Sequence, residues 1–265
     1  MKIKKILALV LALSLLTVAG CSTKKSNDTI TDTTNYSEKG DKPVDETTGD
    51  TTKTESENAE ENSGKTTESK PAKEEVKNTT EQANKPIKIA IKLTDGRQMI
   101  GELYPDIAPI SVENFVNLIE KNFFDGLVFH RVIEGFMIQG GGYDESFYKG
   151  NFNSKETDTI KGEFASNGVE NNLKHTRGVL SMARTQVPDS ASSQFFIMHQ
   201  DSPHLDGDYA AFGKITEGLD VVDAIASVST TALTGTVTFE GQNYPQQMTD
   251  IPKEPIVIKT IDIIE

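Results

Sequence analysis

The chain has 265 residues and a formal net charge of −13, from 40 acidic and 27 basic side chains. That length allows one or two domains, and the acidic balance excludes a nucleic-acid binder, which needs clustered Lys and Arg. Cys21 is the single cysteine, so no intramolecular disulfide can form.

In chain order, MKIKK is a basic start and ILALVLALSLLTVA an apolar run too short to span a bilayer as a mature helix. The run ends at VAGC, which resembles the lipobox of bacterial lipoproteins. The resemblance implies a signal peptide over 1–20, cleavage before Cys21, lipid on its thiol, and an extracytoplasmic protein anchored to the cell membrane. An ordinary signal peptide with a chance cysteine is the plainer alternative. Two or more acyl chains hold stably where one is marginal. Over residues 22–85 the only Ile, Leu, Val or Phe residues are Ile30, Val44 and Val76. Such a stretch cannot bury enough apolar surface to offset its ordering entropy, so 21–85 reads as the lipidated cysteine and a disordered tether. Its mean span is roughly 45 Å.

All twelve phenylalanines lie between Phe115 and Phe239, so one folded domain is expected over 86–265. Ile87, Ile89, Ile91 and Leu93 alternate with Lys88, Ala90, Lys92 and Thr94, the period of a half-buried strand. Asp95-Gly96 supplies a turn, and a second strand ends near Pro105. The period then changes. Val112, Phe115, Val116 and Ile119 share a helical face, with Pro109 near its start and Ser111 as a candidate cap. Short strands follow at 127–133, 136–139, 178–183, 194–198 and 211–215. EGLDVVDAIAS reads as a second helix with Leu219, Val222 and Ile225 facing in. GTVTFEGQNY is a candidate extra hairpin, and EPIVIKTIDII closes the chain as a strand. Many short strands with two helices give the fold class: mainly β, a closed antiparallel barrel.

Strand parity carries the functional reading. Residues two apart share a face, which pairs Phe129 with Arg131, Met137 with Gln139, and Gln194 with Phe196 and Met198. A glutamine or arginine on an apolar face needs partners. Faces of this kind converging on a groove make an apolar dimple with a few fixed donors, suited to a small apolar ring flanked by peptide groups.

The stretches ENFVNL, FDGLVFHRVIEGFMIQGG, RGVLSMAR, SSQFFIM, LDGDYAAFGKI and GLDVVDAI resemble, in order, the cyclophilin-type peptidyl-prolyl cis-trans isomerases. The resemblance spans most of 87–265. It implies an eight-stranded barrel with a helix over each end and no cofactor. It implies Arg131 as the catalytic arginine and Phe136, Met137, Phe196 and Leu205 as the proline pocket. Gln139 and the Ala183–Arg184 segment would bond the substrate backbone. Gln194 stands at a supporting glutamine, and Tyr209 where many members carry a histidine. The implied partners are proline-containing polypeptide segments, bound by a monomer. The chain departs from the family pattern at four places. His204 replaces a pocket tryptophan, removing an indole donor expected in cyclosporin binding. Arg184 replaces a common asparagine. YDESFYKGNFNSKETDT lacks the usual Gly-rich loop, and 230–254 is longer than the family's turn.

Other chemistries fare worse. His199, Asp201, His204 and Asp206 lie in a Pro- and Gly-containing loop without the fixed geometry a metal needs. Ser193, His204 and Asp206 lack a nucleophile elbow. Gly140, Gly141 and Gly142 precede no helix and make no phosphate loop; they let the chain turn beside the groove. His130 reads as structural. A proline-binding module or chaperone without essential turnover is the rival function.

Overall fold

A computed structural model describes residues 85–155 and 157–264. The readings on the signal peptide, Cys21 and the tether to residue 84 lie outside the described residues. The alternation at the start of the domain makes β1 (Ile87–Leu93). After a turn in which Gly96 takes φ 90° and Asp95 accepts the Arg97 N–H at 3.0 Å, β2 (Gln98–Leu103) pairs back on it. There follow α1 (Pro109–Glu120), β3 (Arg131–Ile133), β4 (Met137–Gly140), β5 (Val179–Met182), β6 (Phe195–Met198), β7 (Ala211–Glu217) and α2 (Leu219–Ala226). The chain then forms β8 (Thr230–Phe239), β9 (Gln242–Pro252) and β10 (Ile258–Ile264). No helix among the described residues is long and apolar enough to cross a membrane.

Eight strands form one antiparallel sheet in the order β10-β1-β2-β7-β5-β6-β4-β3. The closed barrel expected from the sequence is not formed: the sheet curls but stays open, with β10 and β3 at its edges. The reason is local. β3 is three residues long, and the segments ahead of the two edges meet only at the single bridge Val128–Val257. Hydrogen bonds from Phe129 N to Ile256 O (2.9 Å) and from Ile258 N to Leu127 O (2.8 Å) flank that bridge. β9 packs beside β3 and covers an edge that would otherwise be free to pair with another chain.

The main core lies between the concave sheet and the two helices. Val112, Phe115 and Ile119 of α1 are buried there, as are Val222 and Ile225 of α2, while Val116 and Leu219 pack at the margin. Ser111 is not the cap. Ala108 holds that position and offers no side-chain bond. Glu163, a buried carboxylate far along the chain, accepts from Ile110 N (2.9 Å), Ser111 N (2.8 Å) and Ser111 Oγ (2.7 Å). A carboxylate at a helix N-terminus satisfies otherwise orphaned donors and meets the positive end of the dipole.

Phe129 also departs from the parity reading. It does not share Arg131's face; it is fully buried in the main core, edge-on to Phe195 at 6.1 Å. The strand begins only at Arg131, and Phe129 bonds toward Ile256 while His130 N bonds to Gln139 O. The chain changes partners between the two residues, and the alternation restarts.

The hairpin expected at GTVTFEGQNY forms and extends further, through Thr230–Phe239 and Gln242–Pro252. Phe239 pairs with Gln242 across Glu240 (φ 49°) and Gly241 (φ 76°), the two left-handed residues of a type I′ turn. Met248 and Ile251 of β9 bury against Val128, Tyr143, Phe147 and Phe152. Thr236 N donates to Gly150 O (2.8 Å), and Phe152 N to Thr236 O (2.9 Å). The two segments that depart from the cyclophilin pattern therefore pack on each other.

Candidate active site

Register across the sheet builds the site. Arg131 on β3 stands opposite Gln139 on β4, Gln139 opposite Phe196 on β6, and Phe196 opposite Ser181 on β5. Residues directly opposite point to the same face. This row lies on the convex face, away from the main core, where Phe136, Met137, Phe196 and Leu205 form a separate apolar cluster. A cavity of about 400 Å³ opens over it. Arg131 and those four apolar residues line this cavity, together with Gln139, Gln194, Ala183, Arg184 and Tyr209, so the structure brings all ten candidate residues to one place.

The polar members are held by specific contacts. Gln139 Nε2 donates to Gln194 Oε1 at 3.0 Å. The glycine run explains how Gln194 fits: a Cβ on Gly142 would sit 2.7 Å from the Gln194 side chain. Gly141, at φ 86°, would place one 2.7 Å from Ser193 O. These glycines permit close approach as well as a turn. Ala183 N donates to Gln194 O at 2.9 Å and so is not open to a ligand. The Arg184 guanidinium lies over the rings of Phe164 (4.8 Å) and Tyr209 (4.7 Å) and donates to Asp208 O and Thr185 O, both at 2.9 Å. It shapes the rim rather than reaching into the cavity.

Arg131 is partly buried, and Asp250 of β9 approaches it, Oδ2 to Nε at 3.6 Å. Burial pushes the guanidinium below its ordinary pKa, and the Asp250 charge opposes the shift. Gln247, Met248 and Thr249 extend the same wall of the cavity.

Beneath Phe196 lies a second polar row. His175, stacked on Phe196 at 6.1 Å, bonds Asp206 Oδ1 through Nδ1 (3.0 Å) and Ser181 Oγ through Nε2 (3.0 Å). Ser181 and His175 are both buried, so this is a support for the cavity floor and not a nucleophile. The histidine–aspartate loop is dispersed among unrelated partners. His199 Nδ1 accepts from Gly135 N, Asp201 accepts from Arg177 N, and His204 stacks on Phe136 at 5.7 Å. Among the described residues no three His, Cys, Asp or Glu side chains converge as a metal site.

His130 borders the cavity but is buried against Tyr143 (4.6 Å) and Phe147 (5.8 Å). Burial, aided by the Arg131 charge, pushes its pKa from 6.5 down to about 3. The folded protein keeps the ring neutral while the unfolded chain takes up a proton below 6.5. Stability is therefore lost as pH falls from 6.5 toward 3, by up to about 1.4 kcal/mol per pH unit. Denaturant titrations of the parent and His130→Leu should show the gap between them shift in favour of the variant from pH 6 to pH 4. A gap that does not change with pH contradicts a neutral buried ring.

Asp250, Gln247, Met248, Thr249, Tyr143, His175 and Glu163 were not found from sequence. The length of 230–254 signalled an insertion, but nothing local places its strand beside Arg131.

Comparison with known proteins places the chain in a family. The cyclophilin type peptidyl-prolyl cis-trans isomerase/CLD family matches residues 86–262, and the chain belongs to that family. A peptidyl-prolyl cis-trans isomerase of Acinetobacter baylyi is 45% identical over 170 residues, covering 61% of this chain and 78% of that protein. Peptidyl-prolyl cis-trans isomerase B of Escherichia coli is 37% identical over 180 residues, 65% of this chain and 97% of its own length. Among solved structures, a cyclophilin type isomerase of Cryptosporidium parvum aligns with a TM-score of 0.52 at 26% identity, over 68% of this chain and 99% of that one. The same protein, solved in the presence of the dipeptide Ala-Pro, aligns at 0.51 and 27%.

Proposed function

We propose that this cyclophilin-family enzyme accelerates cis-trans rotation about X–Pro bonds with Arg131 as its catalytic group, outside the cytoplasm and on a lipid anchor at Cys21. The observation that carries the chemistry is the Arg131 guanidinium and an apolar cup on the same cavity. Rotation breaks no covalent bond. Its barrier is amide resonance, about 18–20 kcal/mol. A catalyst has only to favour the twisted state over both planar ones. In the twisted state the prolyl nitrogen regains a lone pair, and a guanidinium aimed at it gains a hydrogen bond unavailable before. Lowering the barrier by about 7 kcal/mol gives roughly 10⁵-fold.

The roles divide as follows. Phe136, Met137, Phe196 and Leu205 seat the proline ring. Gln139, supported by Gln194, and the Ala183–Arg184 backbone, through groups other than Ala183 N, hold the flanking peptide. Tyr209 and the stacked Arg184 close one rim. Arg131 acts because it stays charged and its fork is rigid. The substrates are extended X–Pro segments of unfolded or newly exported chains, where slow isomerisation limits folding. A protease-coupled assay on an X–Pro peptide tests turnover; a peptide that binds with no gain in rate would leave only a binding module.

The anchor rests on the VAGC stretch and the acidic tether, which cannot adhere to anionic lipid by charge. In cells grown with labelled palmitate, the protein should take up label and sediment with membranes, and Cys21→Ala should lose both. Unlabelled parent protein would end the lipoprotein reading.

A further inference from the structure

The hairpin wall carries an irregularity directed at Arg131. Thr231 pairs with Ile251 and Leu233 with Met248, so Thr249 and Asp250 together oppose Ala232. This is a β-bulge, a device that re-aims a side chain. Ordinary alternation from Met248 would turn residue 250 toward the apolar cluster under the hairpin. The bulge instead puts Asp250 at φ 61° and brings its carboxylate to Arg131. Left-handed backbone is uncommon for residues other than glycine, although Asp and Asn tolerate it best. It persists where the surroundings over-determine it. Here Met248 and Ile251 are buried on either side, and the Thr236 hydrogen bonds fasten the hairpin to the body.

Among the described residues Asp250 is the one acidic side chain paired with Arg131, and it approaches at Nε, the inner nitrogen of the fork. An arginine side chain left without a partner in a groove spreads over many rotamers. One held in place before substrate arrives loses less freedom at the transition state.

We propose that Asp250 is a positioning residue: its carboxylate holds the Arg131 guanidinium at Nε so that the rest of the fork faces the cavity. This rests on Arg131 acting at the prolyl nitrogen. Asp250 then contributes to kcat and not to substrate affinity, because the contact it prepares forms only in the twisted state.

The test uses the full-length protein. Asp250→Asn keeps the shape and the tolerance of left-handed backbone while removing the charge. Asp250→Gly keeps the backbone and removes the side chain. Both should lower kcat on an X–Pro peptide about five- to tenfold and leave KM within about twofold, with thermal unfolding close to the parent's. In an Arg131→Ala background Asp250→Asn should change kcat no further, since nothing remains to be positioned. A kcat within about twofold of the parent, a loss carried by KM, or an equal loss in the Arg131→Ala background would overturn the proposal. Full turnover by Arg131→Ala alone would instead remove the reading on which it rests.

Discussion

Arg131→Ala is expected to lower kcat/KM on an X–Pro peptide about 100-fold, the scale seen when one transition-state hydrogen-bond donor is deleted from an enclosed site. The loss should fall on kcat. Phe136, Met137, Phe196 and Leu205 remain to seat the ring, and they pack in an apolar cluster with Val179, Met198 and Ala211. The fold should survive, because the side chain stands at the cavity rather than in the main core and its partner Asp250 is itself partly exposed. An exposed or half-exposed pair contributes only up to about 1 kcal/mol. Arg131→Lys should recover little, since an ammonium lacks the planar fork and is more strongly hydrated. A coupled isomerisation assay with a thermal melt on the same sample separates the outcomes. Equal rates for variant and parent would end the assignment.

Phe115→Ala is expected to destabilise the protein by about 3–5 kcal/mol, the usual range for truncating a buried phenylalanine. Phe115 is fully buried and contacts Phe124 (4.8 Å), Phe195 (5.3 Å) and Phe212 (5.1 Å). It joins α1 to β6 and β7 at the centre of the curled sheet, where neighbours tied into a ladder cannot collapse into the gap. Domains of this kind hold about 5–15 kcal/mol in total, so the variant should melt roughly 10 °C lower or fail to accumulate. Turnover well below the melt should stay within a few-fold of the parent, since Phe195 faces the core and Phe196 the cavity. A melt within 2 °C of the parent's would mean that the ring cluster is not what ties α1 to the sheet.

The two predictions mark what was readable from residues alone. Alternation at Ile87–Leu93 and the helical face around Phe115 are local signals, and both elements lie where they were expected. Parity placed Met137 with Gln139 and Phe196 with Met198, and register then brings the two pairs together. Parity failed at Phe129, because it assumes one unbroken strand and the chain changes hydrogen-bonding partners there. The open edge of the sheet was equally hidden, since it depends on how far Leu127–Phe129 pairs with Ile256–Ile258. Glu163 caps α1 across a separation no window spans, and the row from Asp206 through His175 to Ser181 is assembled only by folding. Asp250 was the least readable. Its neighbours Met248 and Ile251 are apolar at a spacing that fits no strand, and the bulge that explains this exists only when β9 is laid against β8.

Exchange spectroscopy of an X–Pro peptide at saturating enzyme separates binding from rotation most directly. Parent protein should give cis–trans exchange cross-peaks within tens of milliseconds and shift the resonances of Phe196 and Met137. Arg131→Ala should give the same shifts with the exchange cross-peaks gone. Exchange that persists undiminished in that variant, with the proline still seated, would show that the guanidinium is not what lowers the barrier.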